Sequence, residues 1–151
     1  MRPALLTAAV LLVACAPDQA TDSALIDSTP AAPAALTAAD VSGTWNYEVQ
    51  GMDSDSIIAT GQSVIGGDPL SVTQTATGGA SATGTVTLSG DQINTVVGPY
   101  PSALRPGVMV TTSGVYRIVA GDLVGTTTAR YTGVTTADSI VELRVRMRRA
   151  E

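Results

Sequence analysis

Few side chains in this 151-residue chain can do chemistry, and their types limit it further. There is no His and no Lys, and the eight basic residues are all Arg. Without His there is no Ser-His-Asp triad, Cys-His pair or imidazole metal ligand. Without Lys there is no Schiff base, Ser-Lys dyad or P-loop lysine. The carboxylates Glu48, Asp53, Asp55, Asp91, Asp122 and Glu142 could in principle form an acid/base pair of the glycosidase kind. Their positions argue against it, because most fall in turns or on outward faces of strands, where water keeps them ordinary. No Gly-x-Ser-x-Gly elbow occurs. Met52-Asp53-Ser54-Asp55-Ser56 offers alternating oxygens but lacks the Gly and bidentate Glu of an EF-hand loop, and reads as a polar hairpin turn. The expectation is a protein with no catalytic residues, no metal and no cofactor.

One thiol remains, Cys15, and its surroundings are specific. Arg2 opens a short basic region. Ala4 to Ala14 is a run of apolar and small residues, polar only at Thr7. Such a run is too short to span a hydrocarbon core of ~30 Å, and has the length of a signal-peptide apolar region. Leu12-Val13-Ala14-Cys15 resembles the lipobox of bacterial lipoproteins. The resemblance implies a signal peptide over 1–14, cleavage before Cys15, a diacylglycerol on its thiol and an acylated new amine. The membrane is then the first partner, through the lipid. Ala16 follows the Cys where Asp would imply inner-membrane retention, so the resemblance implies the outer membrane of the cell envelope. An ordinary secretory peptide would instead leave a secreted, soluble protein. Each buried CH₂ contributes roughly 0.8 kcal/mol, so two or more chains anchor stably where one is marginal. A lipidated Cys15 leaves no thiol for a disulfide, and the fold must hold without one.

Residues 15–40 read as the lipidated Cys and a disordered tether. Pro17, Pro30 and Pro33 lie among Ala, Ser, Thr and Asp, with few bulky apolar residues to form a core. As a flexible coil, this stretch would reach about 25–30 Å.

From residue 41 to 151 the chain alternates with period two, the signature of strands. Trp45, Tyr47 and Val49 alternate with polar residues, as do Gly84, Val86 and Leu88. Val141, Leu143, Val145 and Met147 alternate with Glu142, Arg144, Arg146 and Arg148. Gly78-Gly79, Ser89-Gly90-Asp91, Gly121-Asp122 and Thr132-Gly133 punctuate the runs. The pattern predicts eight strands, at about 43–50, 55–61, 69–77, 80–89, 91–98, 107–119, 122–132 and 138–149. The fold class is therefore all-β. Short connections and one-sided alternation favour a small antiparallel up-and-down barrel, with a two-sheet sandwich as the alternative. Closure would also remove exposed strand edges.

Val41-Ser42-Gly43-Thr44-Trp45, followed by a strand, resembles the Gly-x-Trp first strand of the lipocalin and wider calycin barrels. The resemblance implies that Trp45 plugs one end and that an arginine of the last strand packs near it. It also implies an interior that holds one small ligand. Avidin-like barrels start similarly but use several Trp in their pocket, and this chain has one.

The inward positions Ala82, Gly84, Gly125, Thr127 and Ala129 are small and there is no Phe, so a cavity is expected. Its candidate ligand contacts are Trp45, Tyr47, Tyr100 and Leu104. The last two lie in one long Pro-stiffened loop, Gly98 to Gly107, expected at the rim. Charge is segregated: nine acids and no base lie between Ala16 and Tyr100, and seven Arg with four acids follow from Pro101. Arg144, Arg146 and Arg148 form an outward stripe. It either pairs with acids on a neighbouring strand, such as Glu48, or forms a contact surface. The expected function is a non-enzymatic, lipid-anchored envelope protein that binds a small apolar or amphiphilic ligand. The alternative is a structural lipoprotein that contacts another envelope component through its outer surface. Overall acidity and the extracytoplasmic address argue against nucleic acid as a partner.

Overall fold

The fold is taken from a computed structural model that describes residues 35–79, 81–102, 104–135 and 139–151. Cys15, the signal-peptide run and the tether as far as residue 34 lie outside the described residues. One helical turn, α1 (Ala38–Val41), precedes eight strands. These are β1 (Gly43–Gly51), β2 (Ile57–Gly66), β3 (Ser71–Ala76), β4 (Ser81–Ser89), β5 (Gln92–Pro101), β6 (Met109–Val119), β7 (Asp122–Thr132) and β8 (Ile140–Arg149).

Each strand pairs with the next, and β8 returns to β1, so the sheet is a closed antiparallel up-and-down barrel. The closing seam runs from Trp45 opposite Arg149 to Gly51 opposite Leu143. That seam decides between barrel and sandwich in favour of the barrel. Every strand has a partner on both edges, and the barrel belongs to one compact unit, Ala32–Glu151. It therefore needs no other segment to complete its sheet.

The period-two pattern determines which side chains point inward. Trp45, Ile65, Val72, Val86, Ile93, Val97, Leu123 and Met147 are buried, and the threonines between the inward positions of β3 and β4 are exposed. Burying a branched or aromatic side chain contributes roughly 1.5–3 kcal/mol, and this alternation repeats on every strand.

Two expectations need correction. The strand expected at 55–61 runs to Gly66, because Ser63 and Ile65 continue the inward series and the turn comes only at Gly66-Gly67. The loop expected from Gly98 to Gly107 is shorter. A bulge between Val97 and Tyr100 accommodates Gly98, whose φ is +108°, and Pro99, which has no N–H for the ladder. Pairing resumes at Tyr100 opposite Val110 and at Pro101 opposite Met109.

One end of the barrel is plugged. Leu36 donates its N–H to Gly90 O at the β4–β5 turn (2.9 Å) and packs against the core, together with the fully buried Val41 of α1. Leu36 falls within the stretch read as tether, whereas Val41 opens the domain expected from residue 41. Trp45 lies beneath them, 1% exposed, and its Nε1–H donates to Val41 O at 2.9 Å. The Arg149 guanidinium stacks on the Trp45 ring at 4.3 Å. It also donates to Ser42 O (2.9 Å) and Asp40 O (2.7 Å). The C-terminal arginine thus ties the plug to the seam.

A charge-assisted hydrogen bond contributes about 1.5–3 kcal/mol, and a cation–π contact at an exposed site about 0.5–1 kcal/mol. Arg149→Ala is expected to lower the unfolding free energy by about 2 kcal/mol or more in a urea titration. Arg149→Lys should recover little, since a point charge cannot reproduce the planar fork. An Arg149→Ala variant as stable as the parent would show that the clamp contributes nothing.

Candidate functional site

The opposite end of the barrel holds a cavity of about 100 Å³. Around it the inward series of several strands reach their last positions: Tyr47 and Val49 on β1, Gln74 and Ala76 on β3, Ala82 on β4, Tyr100 on β5. Tyr116 on β6, Thr127, Ala129 and Tyr131 on β7 and Leu143 on β8 complete most of the wall. No Asp, Glu or Arg lines the cavity among the described residues. All four tyrosines of the chain line it, and the chain has no Phe.

Tyrosine in place of phenylalanine has a physical cost. A buried hydroxyl without a partner loses its water at roughly 1–3 kcal/mol. The deepest phenol avoids that cost, since Tyr116 Oη and Thr127 Oγ1 share a hydrogen bond at 2.6 Å. Tyr100 is hydrogen-bonded by Thr112. Tyr47 lies against Gly61 of β2, where a Cβ would overlap its ring, so the glycine makes room for the phenol. Tyr131 carries the Arg105 guanidinium on its ring at 4.3 Å. Arg105 is held by a turn in which Ser102 Oγ accepts from Leu104 N–H (3.2 Å) and Arg105 N–H (3.0 Å). That turn brings Leu104, itself 43% exposed, into the wall at the mouth.

Burial shifts the phenols. It pushes Tyr47 up to about 12, with a smaller push from the neighbouring Tyr100. Tyr100 is raised chiefly by burial, against its hydrogen bond from Thr112. Tyr116 is raised by burial against its bonds to Thr127 and Thr95. Tyr47, Tyr100 and Tyr116 are therefore neutral phenols at physiological pH.

The structure places Tyr47, Tyr100 and Leu104 in one wall. It places Trp45 elsewhere, under the plug, and Trp45 does not line the cavity. Of the small inward residues, Ala82, Thr127 and Ala129 do line it. Gly84 and Gly125 do not give open space. Strands pass so close there that a Cβ would collide with Val96 O and Val115 O respectively. Tyr116 and Tyr131 were not singled out from sequence, although they share the inward parity of Gly114 on β6 and of Thr127 and Ala129 on β7.

The arginines of β8 have partners within the barrel. Arg144 donates to Asp55 Oδ1 (3.0 Å), Ser54 O (2.7 Å) and Gly51 O (3.2 Å). Arg146 pairs with Asp122 at 2.6 Å, and Arg148 with Glu48 at 3.0 Å across the closing seam. Such exposed pairs contribute about 0–1 kcal/mol each. Their clearest effect is to fix which strands lie beside β8.

No protein-family profile, curated protein or solved structure matches this chain. The fold and the cavity are the basis for a functional reading.

The phenols also predict a pH dependence. A tyrosine whose pKa is raised above its unfolded value of 10.0 contributes stability that is whole below pH 10. That contribution is lost as pH rises through the folded value. Urea stability should therefore fall between pH 10 and about 12, with phenolate absorbance rising above the ordinary tyrosine range or together with unfolding. Titration of Tyr47, Tyr100 and Tyr116 near pH 10 with the fold intact would contradict the assignment.

Proposed function

We propose that this chain is a non-enzymatic, lipid-anchored protein of the bacterial cell envelope. Its lipocalin-like barrel holds one small, uncharged, mostly apolar molecule. The observation that carries the reading is the convergence of all four tyrosines on one cavity without a charged side chain. An unpaired charge would be costly to bury in such a wall, whereas phenols and threonines can hydrogen-bond a single hydroxyl or carbonyl. The volume sets the size. An apolar cavity of about 150 Å³ admits benzene, and drug-sized sites run to about 300–1,000 Å³. About 100 Å³ is smaller than that, so it suits a short alkyl branch or the edge of one small ring, with a polar substituent toward the mouth. The address rests on Leu12-Val13-Ala14-Cys15 after its apolar run. Labelled fatty acid should enter the full chain in a bacterium that processes lipoproteins, and not its Cys15→Ser variant.

The cavity reading is tested with residues 32–151 and two probes of similar size, p-cresol and 4-methylbenzoate. Trp45 does not line the cavity, so the readout is tyrosine near-ultraviolet circular dichroism or calorimetry. Cresol should bind, and the carboxylate at least tenfold more weakly. Ala129→Leu fills the wall at a residue 2% exposed and should abolish cresol binding, at an overpacking cost of about 1–3 kcal/mol. Equal binding of both probes, or cresol binding untouched by Ala129→Leu, would overturn the reading.

A further inference from the structure

Twelve large apolar side chains are exposed among the described residues. Isolated ones need no explanation, but six of these share the open end of the barrel. They are Met52, Ile57 and Ile58 around the β1–β2 loop, Leu104 and Met109 around the β5–β6 loop, and Ile140 at the start of β8. They form an arc around the mouth from β6 through β8 to β2. On the remaining side, the β3–β4 turn presents Thr77-Gly78-Gly79.

The distribution of charge around the barrel is informative. Arg117, Arg144, Arg146 and Arg148 pair with carboxylates, Arg149 holds backbone carbonyls, and Arg105 stacks on Tyr131. Arg130 is the one arginine among the described residues without such a contact. It is exposed on β7, opposite Ile140 on β8 and Thr111 on β6, and so stands beside the apolar arc. Among the described residues, the acids nearest this edge are Glu142, facing Thr128 on the outer wall, Asp55, which is paired with Arg144, and Asp53 in the β1–β2 loop.

We propose that the open end of the barrel docks on a lipid bilayer with anionic headgroups. Met109, Ile140, Leu104 and the Ile57-Ile58 pair would enter the boundary between headgroups and acyl chains, and Arg130 would meet a phosphate. Interfacial binding of this kind scales with buried apolar area plus attraction to anionic lipid. The arc borders the mouth of an uncharged cavity on the β6–β8–β2 side, so docking would set an apolar interior beside an apolar medium. A second copy fits less well. A stable protein interface needs at least about 1,000 Å², and the arc is interrupted by the polar β3–β4 turn. Among the described residues, the N-terminal stretch meets the barrel at the plugged end, where Leu36 N–H donates to Gly90 O. This docking does not depend on what the cavity holds.

The test uses residues 32–151, which lack Cys15 and any acyl chain. The fragment is sedimented with vesicles of phosphatidylglycerol or of phosphatidylcholine. It should pellet with the anionic vesicles, and Met109→Ser/Ile140→Ser should lower the bound fraction at least tenfold with an unchanged urea midpoint. Arg130→Glu should weaken binding to phosphatidylglycerol several-fold and leave phosphatidylcholine unaffected. Ala129→Leu should bind vesicles like the parent, which separates this surface from the cavity. Three results would overturn the proposal: a parent fragment that stays in the supernatant, a double variant that pellets like the parent, or a dimer in sedimentation velocity that the double variant abolishes.

Discussion

The organising interaction of the molecule is the contact of Trp45 with Val41 O and the Arg149 guanidinium. Trp45 begins the first strand and Arg149 ends the last, and they face each other across the closing seam. The same guanidinium holds the carbonyls of Ser42 and Asp40. One side chain thus joins the N-terminal plug, the first strand and the last. With that end filled by Trp45, Val41 and Leu36, the remaining interior space collects at the other end. There the chain uses tyrosine, threonine and alanine instead of larger aliphatic residues.

The two ends divide the work. The plugged end carries the larger cluster of buried side chains, including Ile65, Val72, Ile93 and Leu123, without a disulfide bridging any strands. The open end carries the smaller cluster of Val110, Ala129, Tyr131 and Leu143. Tyr100 and Val49 pack against both. On the outside, the arginines of β8 pair with Glu48, Asp55 and Asp122 on neighbouring strands and loops, which favours one strand order over its alternatives. Most charge is thereby neutralised on the wall, and the exposed apolar side chains at the mouth stand out against it.

Much of the fold was legible in the sequence because a one-sided barrel repeats one rule on every strand. Trp45, Val86, Leu143 and Met147 could be assigned inward from alternation alone. The turn glycines set most strand ends to within a few residues. What the pattern hid was local. A four-residue helix carries no periodic signal, so Leu36 and the first three residues of α1 read as tether. A bulge breaks parity, so Tyr100 read as loop although it is paired with Val110. Gly84 and Gly125 read as space, because sequence does not show that a neighbouring backbone lies against them. The candidate site was legible in part. Tyr47, Tyr100 and Leu104 meet in one wall, but the convergence of Tyr116 and Tyr131 on it depends on how far each strand extends around the barrel.

The most direct test of a cavity built for one neutral molecule is native mass spectrometry. Residues 32–151 would be produced in a bacterial periplasm and purified without detergent. A second species heavier by one fixed small increment is expected, lost on gentle activation and absent from Ala129→Leu. A bare polypeptide mass under every condition, with a cavity that still admits no neutral ring, would contradict it.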